Sequence, residues 1–148
     1  MSFSGHYRTM RFRSLLELAY MRQLEREGFV FGETASYETV KIPYRIGNGR
    51  KRTYVVDFLL GGTTLAAARP QGVLVEVKWS KRVNERTNRA KFAAARSYVA
   101  GLLPPLMFRV VTEADIETLT LKEAVGIEGV EWSDRTKRSR AFKRAGKR

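Results

Sequence analysis

Arg52-Thr53-Tyr54-Val55-Val56-Asp57-Phe58-Leu59-Leu60, followed by Gly72-Val73-Leu74-Val75-Glu76-Val77-Lys78-Trp79-Ser80, is a pair of apolar runs, each interrupted by charge. Both are rich in β-branched and aromatic residues and are bounded by glycine or charged turn residues, which specifies strands rather than short helices. Side chains alternate between faces along a strand, so Leu74, Glu76 and Lys78 share one face while Val73, Val75, Val77 and Trp79 take the other. A carboxylate and an ammonium therefore stand side by side. With the two strands as neighbours, Asp57 joins them, giving two carboxylates for a divalent cation and a lysine beside the attacking water, a set suited to phosphodiester hydrolysis. Glu and Lys two apart also occur as a weak ion pair on a solvated sheet face. Here, however, every other position from Val73 to Trp79 is apolar, and charges within a buried strand need partners or a metal.

Working outward, Tyr37 to Ile46 alternates, with Val40, Ile42, Tyr44 and Ile46 against Lys41, Pro43 and Arg45. Pro43 lacks a ladder donor, so this strand lies at an edge or carries an interruption. Gly47-Asn48-Gly49 is a hairpin signal of the type I′ kind leading into the Asp57 strand. Upstream, the pattern predicts a helix from Ser14 to Glu27, with a Ser14/Glu17 capping box and Gly28 as its stop. Glu17 lies at the border of its apolar stripe, placed either to cap the helix or to reach a site. Thr63 to Gln71 reads as a loop or strand-like excursion. A helix from about Asn84 to Leu102 carries Arg86, Arg89, Lys91 and Arg96 beside packing rows that include Phe92, Ala95 and Val99, and Pro104-Pro105 stops it. Met107 to Thr112 reads as a strand, and Thr112 and Thr120 each open a capping-box pattern.

These motifs resemble the PD-(D/E)xK nuclease superfamily. Phe12-Arg13-Ser14-Leu15-Leu16-Glu17, Gln23-Leu24-Glu25, Lys41-Ile42-Pro43-Tyr44, Tyr54 to Leu60 and Val75-Glu76-Val77-Lys78 are most similar to phage endonuclease I, a Holliday junction resolvase, with Val56 where that family has proline. The same order of helix glutamate, aspartate and Glu-x-Lys is similar to the TnsA endonuclease subunit of heteromeric transposases. The resemblance implies an α/β, restriction-endonuclease-like central mixed β-sheet flanked by helices. It implies Mg²⁺ or Mn²⁺ held by Asp57, Glu76 and the Val77 backbone carbonyl, with Glu17 as a further acidic group and Lys78 acting on the water. It also implies a homodimer cutting branched DNA, whose subunits exchange elements, or alternatively a TnsA-like nuclease dependent on a partner transposase.

Composition agrees with a nucleic-acid partner. The 148 residues are 43% hydrophobic, enough for one domain with a core, and carry a net charge of +13. The absence of cysteine removes disulfides and thiolate chemistry, and the lone His6 removes a histidine-rich zinc site. No apolar run approaches membrane-spanning length, and Met1 to Thr9 lack the apolar core of a secretory signal, which points to a cytoplasmic setting in a bacterial or phage-infected cell. Residues 1 to 13 read as a basic N-terminal arm bearing Arg8, Arg11 and Arg13 on the nuclease domain of residues 1–134. Residues 135–148 carry eight basic side chains and no acidic one, a disordered electrostatic tail. Candidate DNA contacts are Arg8, Arg11, Arg13, Lys81, Arg82, Arg86, Arg89, Arg96, Arg138, Arg140, Lys143 and Arg144. A noncatalytic basic nucleic-acid-binding protein is the remaining alternative.

Overall fold

The computed structural model describes residues 2–147; Met1 of the expected arm and Arg148 of the expected tail lie outside them. The arm is not free. Strands β1 (Gly5–Tyr7) and β2 (Met10–Phe12) form an antiparallel hairpin. Tyr7, Met10 and Phe12 point inward, and His6 and Arg11 point out. Three-residue strands are too short to show a period in the sequence, which is why the hairpin reads there as an arm.

Helix α1 (Leu15–Arg26) starts at Ser14, whose hydroxyl accepts the Glu17 N–H. The expected reciprocal bond is not made, because the Glu17 carboxylate reaches past Ser14 to accept the Arg13 N–H at 2.5 Å. Gly28, at φ 97°, ends the helix as expected. Strand β3 (Ala35–Arg45) carries a bulge between Tyr37 and Val40 and turns back into β4 (Lys51–Leu60). The connecting hairpin is where the sequence puts it, but its turn is not type I′. Gly49 alone takes a positive φ, 76°, and its N–H donates to the Ile46 carbonyl at 2.7 Å, whereas type I′ needs two such residues.

The expected loop after β4 contains a short helix, α2 (Leu65–Ala68), capped by Thr64. Strand β5 (Val73–Val77) then pairs antiparallel with β4, and after a 3₁₀ turn at Ser80–Arg82 helix α3 (Arg86–Ala100) crosses over to β6 (Met107–Val111), parallel to β5. The sheet order is β3-β4-β5-β6, so Pro43 does lie on an edge strand. One face is covered by α1 over Phe58, Val75 and Val77. The other is covered by α3 over Ile42, Tyr54, Val56, Leu59 and Leu74. This is the mixed, helix-flanked sheet expected from the two strands.

Of the two capping patterns, Thr112 makes only a turn closed by Asp115. Thr120 does cap α4 (Leu121–Val125), with the full reciprocal box to Glu123. Strand β7 (Val130–Trp132) then pairs with β1, completing a second sheet of order β2-β1-β7. The expected tail is folded too, as α5 (Asp134–Lys137) and α6 (Arg140–Ala145). Ser133 and Ser139 cap these helices, Thr136 is fully buried and its hydroxyl accepts the Ser4 N–H, and Phe142 meets Trp132 edge-on at 5.4 Å. A count of charges hides these caps and the single aromatic anchor. Trp132 in turn meets Phe12 edge-on at 5.4 Å, and Phe12 is fully buried. Phe12→Ala is therefore expected to cost about 3–5 kcal/mol, read as a lower midpoint in chemical denaturation; an unchanged midpoint would show that the small sheet adds nothing to global stability. No helix among the described residues is long and apolar enough to cross a membrane.

Candidate active site

The β4–β5 ladder pairs Leu60 with Val73, Leu59 with Leu74 and Phe58 with Val75, and then stops. Val56 packs in the core beneath α3 and Phe58 in the core beneath α1, so β4 turns over at Asp57 just as the ladder opens. Side chains replace the missing ladder bonds. Glu76 Oε1 accepts the Asp57 N–H at 3.2 Å, and Asp57 Oδ2 accepts the Val77 N–H at 2.8 Å. Lys78 Nζ lies 3.6 Å from Glu76 Oε2. Glu17 enters from the first turn of α1. Glu17, Asp57, Glu76, Val77 and Lys78 all line one cleft of about 450 Å³. The sequence-predicted catalytic set is thus brought to one place.

Its electrostatics are those of crowded acids. Burial, then the Glu76 and Glu17 carboxylates, push Asp57 well above the usual carboxylate range, against the Val77 N–H and Lys78. Burial raises Glu76 too, opposed chiefly by Lys78. Burial raises Glu17, opposed by the Arg13 N–H. Such a group has too little positive charge of its own. Among the described residues, no three His, Cys, Asp or Glu side chains close on a single point as a preformed metal cage. The donors nevertheless fit a hard divalent cation: they are carboxylate oxygens and a strand-end backbone, mutually repelled and held by single hydrogen bonds. The buried Tyr54 hydroxyl stands in the same cleft beside Glu76, a neutral donor facing the carboxylates.

Tyr54, Glu38 and Lys91 also line the cleft, and sequence reasoning misses them as site residues. Tyr54 reads in sequence as an ordinary core aromatic; burial, then Glu76, raise its phenol, and Lys91 Nζ lies 5.6 Å from its ring centre. Glu38 sits in the β3 bulge at φ 56°, a conformation no sequence period announces. Despite its partial burial, Arg13 and Tyr37 hold its carboxyl below the usual range. Asn88, nearly fully buried, donates to the Arg82 carbonyl at 2.8 Å and fixes the 3₁₀ turn beside the cleft.

Of the candidate DNA contacts, Arg13 and Arg82 reach the cleft, each already paired, Arg13 with Glu38 and Arg82 with Glu85. Lys81 is exposed in the same 3₁₀ turn. The cations of α3 do not share one face. Lys91 faces the cleft, Arg86 lies against Gly47 at the β3–β4 tip, Arg96 stacks on Phe108 at 5.6 Å and Arg89 is exposed. Arg8 pairs with Glu25 at 2.8 Å, and Arg11 points outward from β2. Arg138, Arg140, Lys143 and Arg144 lie along the α5–α6 segment at the surface, outside the cleft.

A family model described as TnsA-like endonuclease N terminal matches residues 33–113, more than half of the chain. The match takes in Asp57, Glu76 and Lys78 and leaves out α1 with Glu17. No curated protein and no solved structure matches, so the likeness to phage endonuclease I has no support from them.

Proposed function

The chain belongs to the TnsA-like endonuclease N-terminal family, and from that premise we propose that it hydrolyses phosphodiester bonds of DNA with a divalent metal ion. The observation that carries the reading is the buried Asp57–Glu76 pair with Lys78 beside it, set where two strands part and open to solvent through the cleft. Mg²⁺ or Mn²⁺ bound by Asp57, Glu76 and the Val77 carbonyl, with Glu17 as a further acidic group, would supply the positive charge that polarises the phosphate and acidifies a water. Lys78 is placed to hold the attacking water and to donate to the negative charge that grows on the phosphate oxygens. Tyr54 offers a second donor from the cleft wall. Lys91, Arg82 and Arg13 surround the opening and attract the backbone.

Within this reading the family match supports a nuclease of the TnsA kind, cutting at transposon ends with a partner transposase. Branched DNA, cut by a twofold dimer, is the other substrate, because a junction must be cut twice and each chain has one such cluster. A panel of four-way, linear and supercoiled DNA, incubated with the lone protein, separates them: a nuclease that needs a partner transposase leaves every substrate uncut, and a junction nuclease does not. For the junction reading, cleavage is expected with Mg²⁺ or Mn²⁺, little with Ca²⁺, whose looser coordination positions water poorly, and none with a chelator. Preference for the four-way substrate together with a dimer in sedimentation supports the junction reading; a monomer, or equal cutting of linear DNA, removes it. Hydrolysis that persists in the chelator would overturn the metal assignment.

A further inference from the structure

From Thr39 to Val56 the chain carries Lys41, Arg45, Arg50, Lys51 and Arg52 and no acidic residue. All five are exposed, and none makes an ion pair among the described residues, whereas Arg8, Arg13, Arg26 and Arg82 each have a carboxylate. Because β4 pairs with β5 only from Phe58 to Leu60, its residues from Lys51 to Val56 have β3 as their single strand neighbour. The two strands run on past the sheet as a ribbon. Val40, Ile42, Tyr54 and Val56 bury one face of it beneath α3. The register sets Lys41 opposite Val55, Pro43 opposite Thr53 and Arg45 opposite Lys51, and opposed residues share a face. The other face therefore begins at Val55, which lines the catalytic cleft, and leads outward over Lys41, Arg45 and Lys51.

The ribbon is held firmly at its tip. Arg45 donates to the Gly49 carbonyl at 2.6 Å, and the Arg86 guanidinium lies so close to Gly47 that a Cβ there would collide with it. Charge on an exposed edge strand also discourages sheet-to-sheet association. That purpose is served by charges of either sign, and mixed signs would relieve the mutual repulsion of these five; a polyanion is what requires one sign throughout. At about 3.3 Å per residue, Lys51 stands roughly 13 Å along the strand from Val55, the rise of about four base pairs of duplex at about 3.4 Å each.

We propose that the outer face of the β3–β4 ribbon is a second DNA-binding site of this chain, which seats the phosphate backbone of duplex flanking the cut and reaches about four base pairs to one side of the scissile bond. The position of the cut rests on the nuclease reading; the phosphate contact does not. The test is fluorescence anisotropy of a labelled linear duplex over a salt series, in Ca²⁺, comparing the parent with Lys41→Gln/Arg45→Gln/Lys51→Gln. Lys41 and Lys51 are exposed and unpaired among the described residues, and Arg45 gives up one exposed hydrogen bond to the Gly49 carbonyl, so the thermal melt should stay within a few degrees of the parent. A control removes the same charge at Arg22, Arg26 and Lys122. The slope of log affinity against log salt should flatten by roughly 2–3, at about 0.9 per lost phosphate contact, and much less in the control. In Mg²⁺, the triple variant should cut with a higher KM and unchanged kcat, and should no longer distinguish duplexes with short and long flanks. An unchanged slope, an equal change in the control, or equal parent affinity for single strands would overturn the proposal. Cleavage with an unchanged slope defeats the ribbon and keeps the nuclease; a flattened slope with no cleavage in any metal keeps the ribbon and removes a nuclease that acts without a partner.

Discussion

Asp57→Asn is expected to abolish cleavage and at the same time to make the metal-free protein more stable. The loss should be on the order of 10³-fold or more, since the substitution removes a charge that general acid–base and metal-supported chemistry both require. DNA affinity should stay close to the parent, because the exposed cations carry it. The stability gain follows from the same carboxylate. Burial and two neighbouring carboxylates raise Asp57, so its ionised form is disfavoured in the fold. The amide that replaces it keeps an oxygen to accept the Val77 N–H and adds donors facing Glu76. Removing a poorly compensated buried charge is worth about 1–2 kcal/mol, or roughly 2–8 °C in a chain of this length. The sign fixes the pH window. A group whose folded pKa is raised lends stability that is fully present below its unfolded value, about 3.9 for aspartate, and lost as pH rises through the folded value. The gap in melting temperature between variant and parent should therefore be small near pH 4 and widen toward pH 8, and Mg²⁺ should raise the melting temperature of the parent alone. Equal melting temperatures at pH 8, or wild-type cutting by the variant, would remove the site assignment.

Lys78→Ala should fail in both respects. Cleavage should fall on the order of 10²–10⁴-fold, for loss of the group that holds water and donates to the reacting phosphate. Stability should fall as well, by about 1–3 kcal/mol, because Glu76 is left buried without its partner. Adding Glu76→Gln should recover most of the stability and none of the cleavage. Thermal melts of the two single variants and the double variant form a cycle that isolates the pair. A Lys78→Ala protein as stable as the parent would mean that the 3.6 Å approach carries no net energy.

Fold and site are legible in the sequence to different depths, for physical reasons. The two long strands announce themselves because their apolar runs are bounded by turn residues, and in such a run a charge stands out; Asp57, Glu76 and Lys78 are found that way. Glu17 is ambiguous from its helix position, and only packing brings it into the cleft. Tyr54 is invisible because a core tyrosine and a cleft tyrosine look alike until the partner of the hydroxyl is sought. Glu38 is hidden by a bulge, which breaks the period that sequence reading relies on. The largest misreading falls at the two ends. Three-residue strands and four- to six-residue helices lie below the length at which periodicity speaks, and their stability comes from each other across the whole chain.

That last feature sets the order of events as the chain is made. Strand β1 precedes the central sheet in the chain, yet its partner β7 and the Thr136 hydroxyl that accepts the Ser4 N–H follow that sheet. The central sheet, by contrast, is complete once Val111 has been made. Loop-closure entropy makes the distant pairing late and slow. The small sheet is therefore a clasp, closed over α1 after the catalytic half has taken shape. Phe12→Ala should then speed unfolding on the order of 10²–10⁴-fold and leave the folding rate nearly unchanged in a chevron analysis, the mark of contacts absent from the transition state.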